Sequence, residues 1–293
     1  MSVATNRWVL AARPPTLLAA LAPVLVGSAS AWRDSVWAAL PMLVILVSAL
    51  AIQIGVNFAN DLADAHKGAD TEARIGPLRV VSSGLVSPAE MRRAIAIAFG
   101  IAAIGGIYLI WLAGWVILVI GVVSIIAALG YTNGPIPYGY YGLGEVFVFI
   151  FFGLVATAGT RYVYDMSVSS EAWVGGVVMG LLAMAILEAN NIRDVDTDTE
   201  ARKRTIAVII GRQRARALFA ATLGVIPIII VFSVLLGLLP AMCMITLVVA
   251  PLGIPLVQTV YRETSGPALI SVLKGTAQLQ MFTALMLSLG IVF

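Results

Sequence analysis

The sequence predicts an all-α, polytopic membrane protein with nine transmembrane helices, forming a single domain over residues 1–293. Hydrophobic residues make up 60% of the chain and charged residues only 11%, and the mean hydropathy is +1.00. Soluble domains carry about 25% charged residues, so this chain has too few charges to cover a water-facing surface. Its apolar runs are too long for barrel strands of about ten residues, which leaves helices as the spanning structure.

Apolar runs of helix length recur along the whole chain. A bilayer core about 30 Å thick requires about 20 apolar residues per helix. The predicted spans cover residues 15–32, 36–58, 92–112, 115–131, 145–162, 172–190, 217–237, 239–260 and 275–292. The first span ends in the residues SASA, which resemble a signal-peptide cleavage site. Because eight further spans follow, we expect the first helix to be retained.

The basic residues predict the orientation. If the N-terminus is cytoplasmic, 16 of the 18 basic residues lie in or beside inside segments, and only Arg33 and Arg161 lie outside. An excess of Lys and Arg is typical of the cytoplasmic loops of membrane proteins. The two long inside loops, about 59–91 and 191–216, are predicted to cap the cytoplasmic side. The formal net charge is only +3, and we expect no nucleic-acid partner.

Two short stretches, Asn57–Asp70 and Asn190–Asp198, concentrate the acidic residues. The chain has 15 acidic residues, and six of them lie in these stretches: Asp61, Asp64, Asp70, Asp194, Asp196 and Asp198. The stretches begin the two long loops and stand four spans apart, which suggests a weak internal repeat. Residues three or four apart share a helix face, which groups Asp61 with Asp64 and Asp194 with Asp198. Asp196 is predicted to point away.

The position of these carboxylates favours a bound cation. They stand at helix C-terminal ends, where the helix dipole disfavours negative charge, whereas capping Asp residues stand at N-termini. Hard oxygen ligands favour Mg²⁺, which often shares its ligand shell with substrate phosphates. Basic residues follow both stretches and are predicted to bind phosphate oxygens. The alternative is that these basic residues serve only to orient the chain in the membrane.

A third polar element, residues 131–145, joins spans 4 and 5. It carries four tyrosines, Tyr131, Tyr138, Tyr140 and Tyr141, followed by Glu145. These rings are predicted to line a pocket for an aromatic acceptor or to stabilise a cation; the alternative is an interfacial aromatic belt. Glu188, inside span 6, is a further candidate because ionisable residues within a membrane are commonly functional.

The acidic stretches resemble a known family. Asn60-Asp61-x-x-Asp64, together with Asn190-Asn191-x-x-Asp194-x-x-x-Asp198 and the following Lys203-Arg204-Thr205, resembles the two Asp-rich motifs of the UbiA superfamily of intramembrane prenyltransferases. The segments NFANDLADAHKGAD, IGPLRVVSSG and PYGYYGLGEVFVFIFFG are similar to the branch that prenylates 1,4-dihydroxy-2-naphthoate. One departure is Gly68, where the broad family pattern has a third Asp; Asp70 follows two residues later.

This resemblance implies Mg²⁺-dependent transfer of a polyprenyl group from polyprenyl diphosphate to 1,4-dihydroxy-2-naphthoate, with loss of CO₂, giving demethylmenaquinone and diphosphate. It also implies a bacterial inner (plasma) membrane location, with the N-terminus and active-site loops cytoplasmic. The expected catalytic residues are Asp61, Asp64, Asp194, Asp198 and Lys203, and Asp70 joins the four aspartates as an expected metal ligand. The expected diphosphate ligands are Asn57, Asn60, Lys67, Arg74, Arg79, Asn190, Asn191, Arg193 and Arg204. The expected acceptor-binding residues are Tyr131, Tyr138, Tyr140, Tyr141, Glu145 and Glu188.

Two alternatives stay open at this point. Another member of the same superfamily could use 4-hydroxybenzoate or a phospho-sugar as acceptor. A secondary transporter could also hold an ion in a helical bundle with repeated halves, although transporter ion sites usually lie near the bilayer midplane. The carboxylates here cluster at one membrane face instead.

Overall fold

The structure, a computed structural model, describes residues 6–67, 79–131 and 137–293, and of His66 and Lys67 it describes only the backbone. Within these residues the chain is helical and contains no strand. The helices are α1 Arg7–Ala12, α2 Pro14–Arg33, α3 Ala39–Lys67, α4 Pro88–Ala113, α5 Trp115–Gly130, α6 Gly144–Asp165, α7 Ser170–Arg193, α8 Val195–Glu200, α9 Ile206–Ile210, α10 Arg212–Leu235, α11 Ala241–Arg262 and α12 Gly266–Val292.

The prediction of a multi-pass, all-helical membrane protein is confirmed. In the described part of the chain, eight helices are long and apolar enough to cross a bilayer, and α5 is an apolar helix of only 16 residues. The count of nine is therefore not confirmed by length. The connectivity favours a ninth crossing, because α5 leads back from the far end of α4 to the loop that contacts the second acidic stretch. Nine crossings stay a prediction.

Local sequence signals explain where several helices begin. Ser87 and Glu90 form a reciprocal capping box at the start of α4, with Pro88 in the first turn. This arrangement satisfies backbone N–H groups that have no partner within the helix. Ser169 caps α7 in a similar way through the backbone N–H of Ala172. Gly114 separates α4 from α5 with φ of 79°, a conformation that favours glycine.

Helices α6 and α7 pack with their backbones in contact. Residues Phe149–Val155 of α6 form a π-helical segment, and Gly153 within it faces Gly176 and Gly180 of α7. A Cβ atom on Gly153 would stand 2.4 Å from the Cα of Gly180, so no larger residue fits without a shift. The close approach holds the loop before α6 beside the end of α7.

Helices α2 and α7 form the interior of the bundle. In the apolar windows of these two spans, 61% and 67% of residues are buried, compared with 17% for α4. Helix α2 packs against α3, α6, α7 and α12, and Val26 and Met179 contribute to the largest buried apolar cluster. The helices that carry the acidic stretches, α3 and α7, therefore both pack against α2.

The two basic residues predicted to lie outside are both paired with carboxylates. The guanidinium of Arg161, which is 2% exposed, lies 2.6 Å from Asp34 and 2.5 Å from Asp165. Arg33 lies 3.5 Å from Glu171. These pairs neutralise the positive charge and join the ends of α2, α6 and α7 opposite the acidic stretches.

Candidate active site

Asp61 fixes the short turn that precedes α4. Its carboxylate, only 1% exposed, accepts hydrogen bonds from the backbone N–H groups of Val80 at 3.2 Å and Val81 at 3.1 Å. Residues 79–84, the described part of the segment IGPLRVVSSG, therefore fold back onto the end of α3. The structure gives Asp61 a definite local role in shaping the site.

Asp64 and Arg79 form a buried ion pair, with side-chain exposures of 10% and 9%. Nη2 of Arg79 donates to Asp64, while its Nε and Nη1 are buried with no hydrogen-bond partner among the described residues. A buried donor without an acceptor costs about 1–3 kcal/mol, and more when the group is charged. The arrangement suits an additional anion, because guanidinium groups bind phosphate oxygens through paired N–H donors.

Asn57 ties the first residues of the chain to α3. Its side-chain amide donates to the carbonyl of Ala12 at 2.8 Å and to Oγ1 of Thr16 at 2.9 Å. Both amide N–H groups are thereby used. Trp8 of α1 packs on Phe58 with ring centroids 5.7 Å apart. Asn57, expected to bind diphosphate, therefore has a positioning role in this arrangement.

The second acidic stretch spans the end of α7 and the start of α8. Asp194 is the C-cap of α7 and precedes α8, and Asp196 and Asp198 lie in the first turn of α8. The expectation that all these carboxylates stand at helix C-terminal ends is therefore wrong for Asp196 and Asp198. Arg193, 5% exposed, donates to Asp194 through Nε at 2.7 Å and through Nη2 at 2.5 Å. Nη2 also donates to Oδ1 of Asn190 at 2.8 Å. The backbone N–H of Asp198 donates to the carbonyl of Asp194 at 2.7 Å. One helical turn therefore separates the two carboxylates, as their spacing predicts.

Asp198 is the more buried of these two carboxylates. Burial, together with the charge of Asp194, raises the pKa of Asp198 to about 6, although Lys203 opposes the shift. Nζ of Lys203 lies 3.6 Å from Asp198. Asp196 points away, as predicted: its side chain is 78% exposed and pairs with Arg212 at 2.8 Å.

The loop of residues 131–145, here called the tyrosine loop, contacts the residues that follow the second acidic stretch through Tyr140 in its described part. The backbone N–H of Arg204 donates to the carbonyl of Tyr140 at 3.0 Å, and Nζ of Lys203 lies 5.0 Å above the ring of Tyr140. Tyr138 lies between Tyr131 and Phe147, with ring centroids 5.5 Å and 3.9 Å away. These contacts bring the predicted acceptor loop to the predicted diphosphate residues.

The hydroxyl groups of the loop have different surroundings. Tyr138 donates its hydroxyl to the carbonyl of Ala127 at 2.6 Å, and burial raises its pKa to about 12. Burial, followed by the charge of Glu145, raises the pKa of Tyr131 well above its usual value. Tyr141 is 55% exposed. The hydroxyls of Tyr131 and Tyr138 therefore stay protonated at neutral pH.

Two buried glutamates lie beside the acidic stretch of α7. Nδ2 of Asn191 donates to Glu145 at 2.8 Å, which joins the start of α6 to the motif. Thr222 of α10 donates to Oε1 of Glu188 at 3.0 Å, whereas Oε2 is buried without a partner in the described parts of the chain. Sequence reasoning missed Thr222, because a single threonine in an apolar span carries no signal of its own. Asn191, expected to bind diphosphate, here supports Glu145.

The four motif aspartates lie on two segments, Asp61 and Asp64 near the end of α3 and Asp194 and Asp198 after α7. Among the side chains that the structure describes, which exclude His66, no three Asp, Glu, His or Cys groups converge where one metal ion could bind. Mg²⁺ in phosphate sites is usually held by one or two carboxylates together with substrate phosphates and water. The donor chemistry of the two Asp pairs therefore fits Mg²⁺.

Several expected site residues are placed only in part. Asp70 and Arg74 lie outside the described residues, as does the side chain of Lys67. Asn60 is half-buried near the end of α3, and Arg204 is exposed. Their predicted contacts with diphosphate or metal stay predictions.

Comparisons with known proteins give sequence relatives and structural neighbours of this chain. A relative from Mycobacterium tuberculosis, named 1,4-dihydroxy-2-naphthoate octaprenyltransferase, is 38% identical over 98% of this chain and 97% of its own length. The solved structure of a UbiA homolog from Aeropyrum pernix K1 has a TM-score of 0.72 and 16% identity, covering 94% of this chain and 97% of that one. A UbiA homolog from Archaeoglobus fulgidus, bound to DMAPP and Mg²⁺, has a TM-score of 0.64 and 14% identity over 97% and 99% of the two chains.

At such low identity the solved structures show a shared fold. The family profile and the M. tuberculosis relative show family membership as well as fold, because they match nearly the whole sequence. The UbiA prenyltransferase family profile covers residues 20–286. The resemblance inferred from the two acidic motifs is thereby confirmed, and the chain belongs to the UbiA prenyltransferase family.

Proposed function

We propose that this chain transfers a polyprenyl group from polyprenyl diphosphate to 1,4-dihydroxy-2-naphthoate in a Mg²⁺-dependent reaction that releases CO₂ and diphosphate. The observation that carries the proposal is the buried pair of Asp64 and Arg79. Two guanidinium donors of Arg79 have no partner among the described residues, and phosphate oxygens are suitable acceptors. The name of the M. tuberculosis relative supports the naphthoate branch.

The acidic stretches hold the diphosphate end of the donor. Asp61 and Asp64 on one side, and Asp194 and Asp198 on the other, are the proposed metal ligands, with Asp70 a further candidate. Bound Mg²⁺ would neutralise the negative charge that develops on the leaving diphosphate. Arg79, Arg193 and Lys203 supply fixed positive charge at the same place, which stabilises that developing charge without reorganisation of solvent.

The remaining diphosphate contacts are proposed from their position in the motifs. Asn60 and Asn190 stand beside the metal-binding carboxylates, while Lys67, Arg74 and Arg204 lie in the loops that follow the two stretches. Asn57 and Asn191 act through the contacts they already make. Asn57 keeps α1 and α2 against α3, and Asn191 keeps Glu145 against α7.

The tyrosine loop holds the acceptor beside the allylic carbon. Tyr131 and Tyr140 offer ring faces near Lys203 and Asp198, and aromatic faces stabilise positive charge. Glu145 and Glu188, both 3% exposed, provide polar groups at the inner wall of the site. Tyr138 stacks on Phe147 and supports the ring of Tyr131. Tyr141 is the outermost ring of the proposed acceptor site.

The reaction balances without an added oxidant. The C–O bond between the allylic carbon and the diphosphate breaks, and that carbon bonds to the ring carbon bearing the carboxylate. The C–C bond to the carboxylate then breaks, and its electron pair restores the aromatic ring as CO₂ leaves. The immediate product is the quinol form of demethylmenaquinone. A dry site prevents water from capturing the allylic cation.

The proposed location is a bacterial inner membrane with the N-terminus and the acidic stretches on the cytoplasmic side. The segregation of basic residues supports this orientation. The charge of the substrates also favours a cytoplasmic site. Prenyl diphosphates and aromatic acids are charged and do not cross a bilayer readily, so they stay in the compartment that supplies them.

The test uses the purified full chain with Mg²⁺, a polyprenyl diphosphate and a panel of aromatic acids. We expect prenylated product and CO₂ release with 1,4-dihydroxy-2-naphthoate, and loss of both after chelation of Mg²⁺. Product from 4-hydroxybenzoate alone would overturn the naphthoate assignment. Turnover that persists in excess chelator would overturn the role of the metal.

A further inference from the structure

A groove lies apart from the acidic site, between α11 and α12. It occupies the end of the bundle at which the acidic stretches lie and has a volume of about 520 Å³. Gln258, Thr259 and Arg262 line it on α11, and Ala268 and Ser271 line it on α12. Its volume is in the range of small-molecule sites, about 300–1,000 Å³.

The groove carries positive charge. Arg262 is exposed and makes no hydrogen bond or ion pair with the described residues. Nη2 of Arg216 donates to the carbonyl of Glu263 at 2.8 Å, at the edge of the groove. Lys274 is exposed and follows Ser271 by one turn on the same helix face. One cation, Arg262, and one carboxylate, Glu263, therefore line the groove, and two further cations, Arg216 and Lys274, lie next to its lining residues.

The surface beyond the groove is apolar and faces outward. On α11, Ile254 is 57% exposed and Val248 is 73% exposed. On α12, Phe282 is 47% exposed and follows Ser271 by eleven residues, which returns to nearly the same face at 100° per residue. A polar, cationic end followed by an apolar, outward face matches the two parts of a phospholipid.

We propose that this groove binds the headgroup of an anionic phospholipid. Arg262 donates to the phosphate, and Ser271 forms the wall of the groove beside it, with its hydroxyl bonded to the carbonyl of Pro267 at 3.3 Å. Lys274 adds positive charge, and the acyl chains lie along the exposed face of α12. Basic pockets between membrane helices bind anionic headgroups for this reason. The inference is independent of the prenyl-transfer reaction, because none of these residues belongs to the proposed active site.

Native mass spectrometry of the full chain in detergent tests the inference, with phosphatidylglycerol and phosphatidylcholine as probes. We expect preferential retention of phosphatidylglycerol. Arg262→Gln should weaken its binding about fivefold, equivalent to about 1 kcal/mol, the usual contribution of one basic residue near a lipid surface. Ser271→Leu fills the groove while keeping every charge and should weaken binding similarly.

Arg93→Gln is the matched control, because Arg93 is an exposed arginine near the start of α4 at the same membrane face. It should leave phosphatidylglycerol binding unchanged. Equal losses in the Arg93 and Arg262 variants would overturn the groove in favour of general surface charge. Equal binding of the two lipids, or displacement of phosphatidylglycerol by millimolar inorganic phosphate, would overturn the lipid as ligand.

Discussion

The two acidic stretches neutralise their carboxylates in different ways. In the first, Asp64 pairs with Arg79, which lies 15 residues away, and Asp61 holds the backbone of the same turn. In the second, Asp194 pairs with the adjacent Arg193, and Asp198 with Lys203 five residues later. The first half therefore depends on a folded turn, whereas the second is assembled locally. The first half also keeps donors with no partner among the described residues.

The largest expected loss of turnover follows removal of an aspartate from either acidic stretch. Asp64→Ala and Asp194→Ala should each reduce turnover at least about 100-fold, because each removes a proposed metal ligand and leaves a buried arginine without its partner. Product formation measured by mass at saturating Mg²⁺ checks this. Insertion and folding in detergent serve as the control. Normal turnover in either variant contradicts a site made from both stretches.

Conservative Arg→Lys variants should lower kcat/KM by different factors in the two acidic stretches. Arg79→Lys removes the planar pair of donors proposed for phosphate, and kcat/KM should fall about tenfold or more. Arg193→Lys should cost only a few-fold, because the donors of Arg193 already bind Asp194 and Asn190. Inhibition by inorganic diphosphate is the second readout. Equal losses of kcat/KM, with equal changes in inhibition by diphosphate, would mean that Arg79 and Arg193 have the same role.

A variant of Asn57, in the first stretch, tests whether this residue stabilises the packing of helices or binds diphosphate. Asn57→Ala should lower the free energy of unfolding by about 1–3 kcal/mol, because the carbonyl of Ala12 and Oγ1 of Thr16 lose their donor. KM for the prenyl diphosphate should change less than stability does. Thermal unfolding in detergent and steady-state kinetics distinguish the outcomes. A raised KM with unchanged stability would restore Asn57 as a direct diphosphate ligand.

The smallest expected effect belongs to the second stretch. Asp196→Ala removes an exposed ion pair with Arg212, and exposed pairs contribute about 0–1 kcal/mol. Turnover should stay within about twofold of the parent protein. The same assay as for Asp194→Ala provides the comparison. Complete loss of activity would mean that the side chain of Asp196 faces the metal.

The spans of several helices and the relative directions of side chains on one helix were predictable from the sequence. Long apolar runs placed the spans of α2, α4 and α7 within a few residues, because each needs about 20 apolar residues to cross a bilayer. The i,i+4 spacing of Asp194 and Asp198, and the outward direction of Asp196, follow from helix geometry. Helix α5, Trp115–Gly130, matches its predicted span of 115–131 to one residue. Whether 16 helical residues cross the bilayer does not follow from the apolar run, because a crossing takes about 20 residues.

Contacts between distant segments were not predictable in the same way. Arg79 was recognised as a basic residue near the first stretch, but its partner depends on how the turn folds onto α3. Thr222 and Glu188 meet only because α10 packs against α7. Asn57 looked like part of a ligand motif, whereas its partners, Ala12 and Thr16, belong to the start of the chain. Spacing in one segment gives no information about such partners.

The close packing at Gly153 limits how a lipid substrate reaches the site. Because the backbones of α6 and α7 touch through Gly153, Gly176 and Gly180, no hydrocarbon chain can slide between them at that level. This contact lies about two to three helical turns from Glu145 and Asn191, which join the same two helices at the site. A prenyl tail that extends from the site to this depth must therefore pass between other helices.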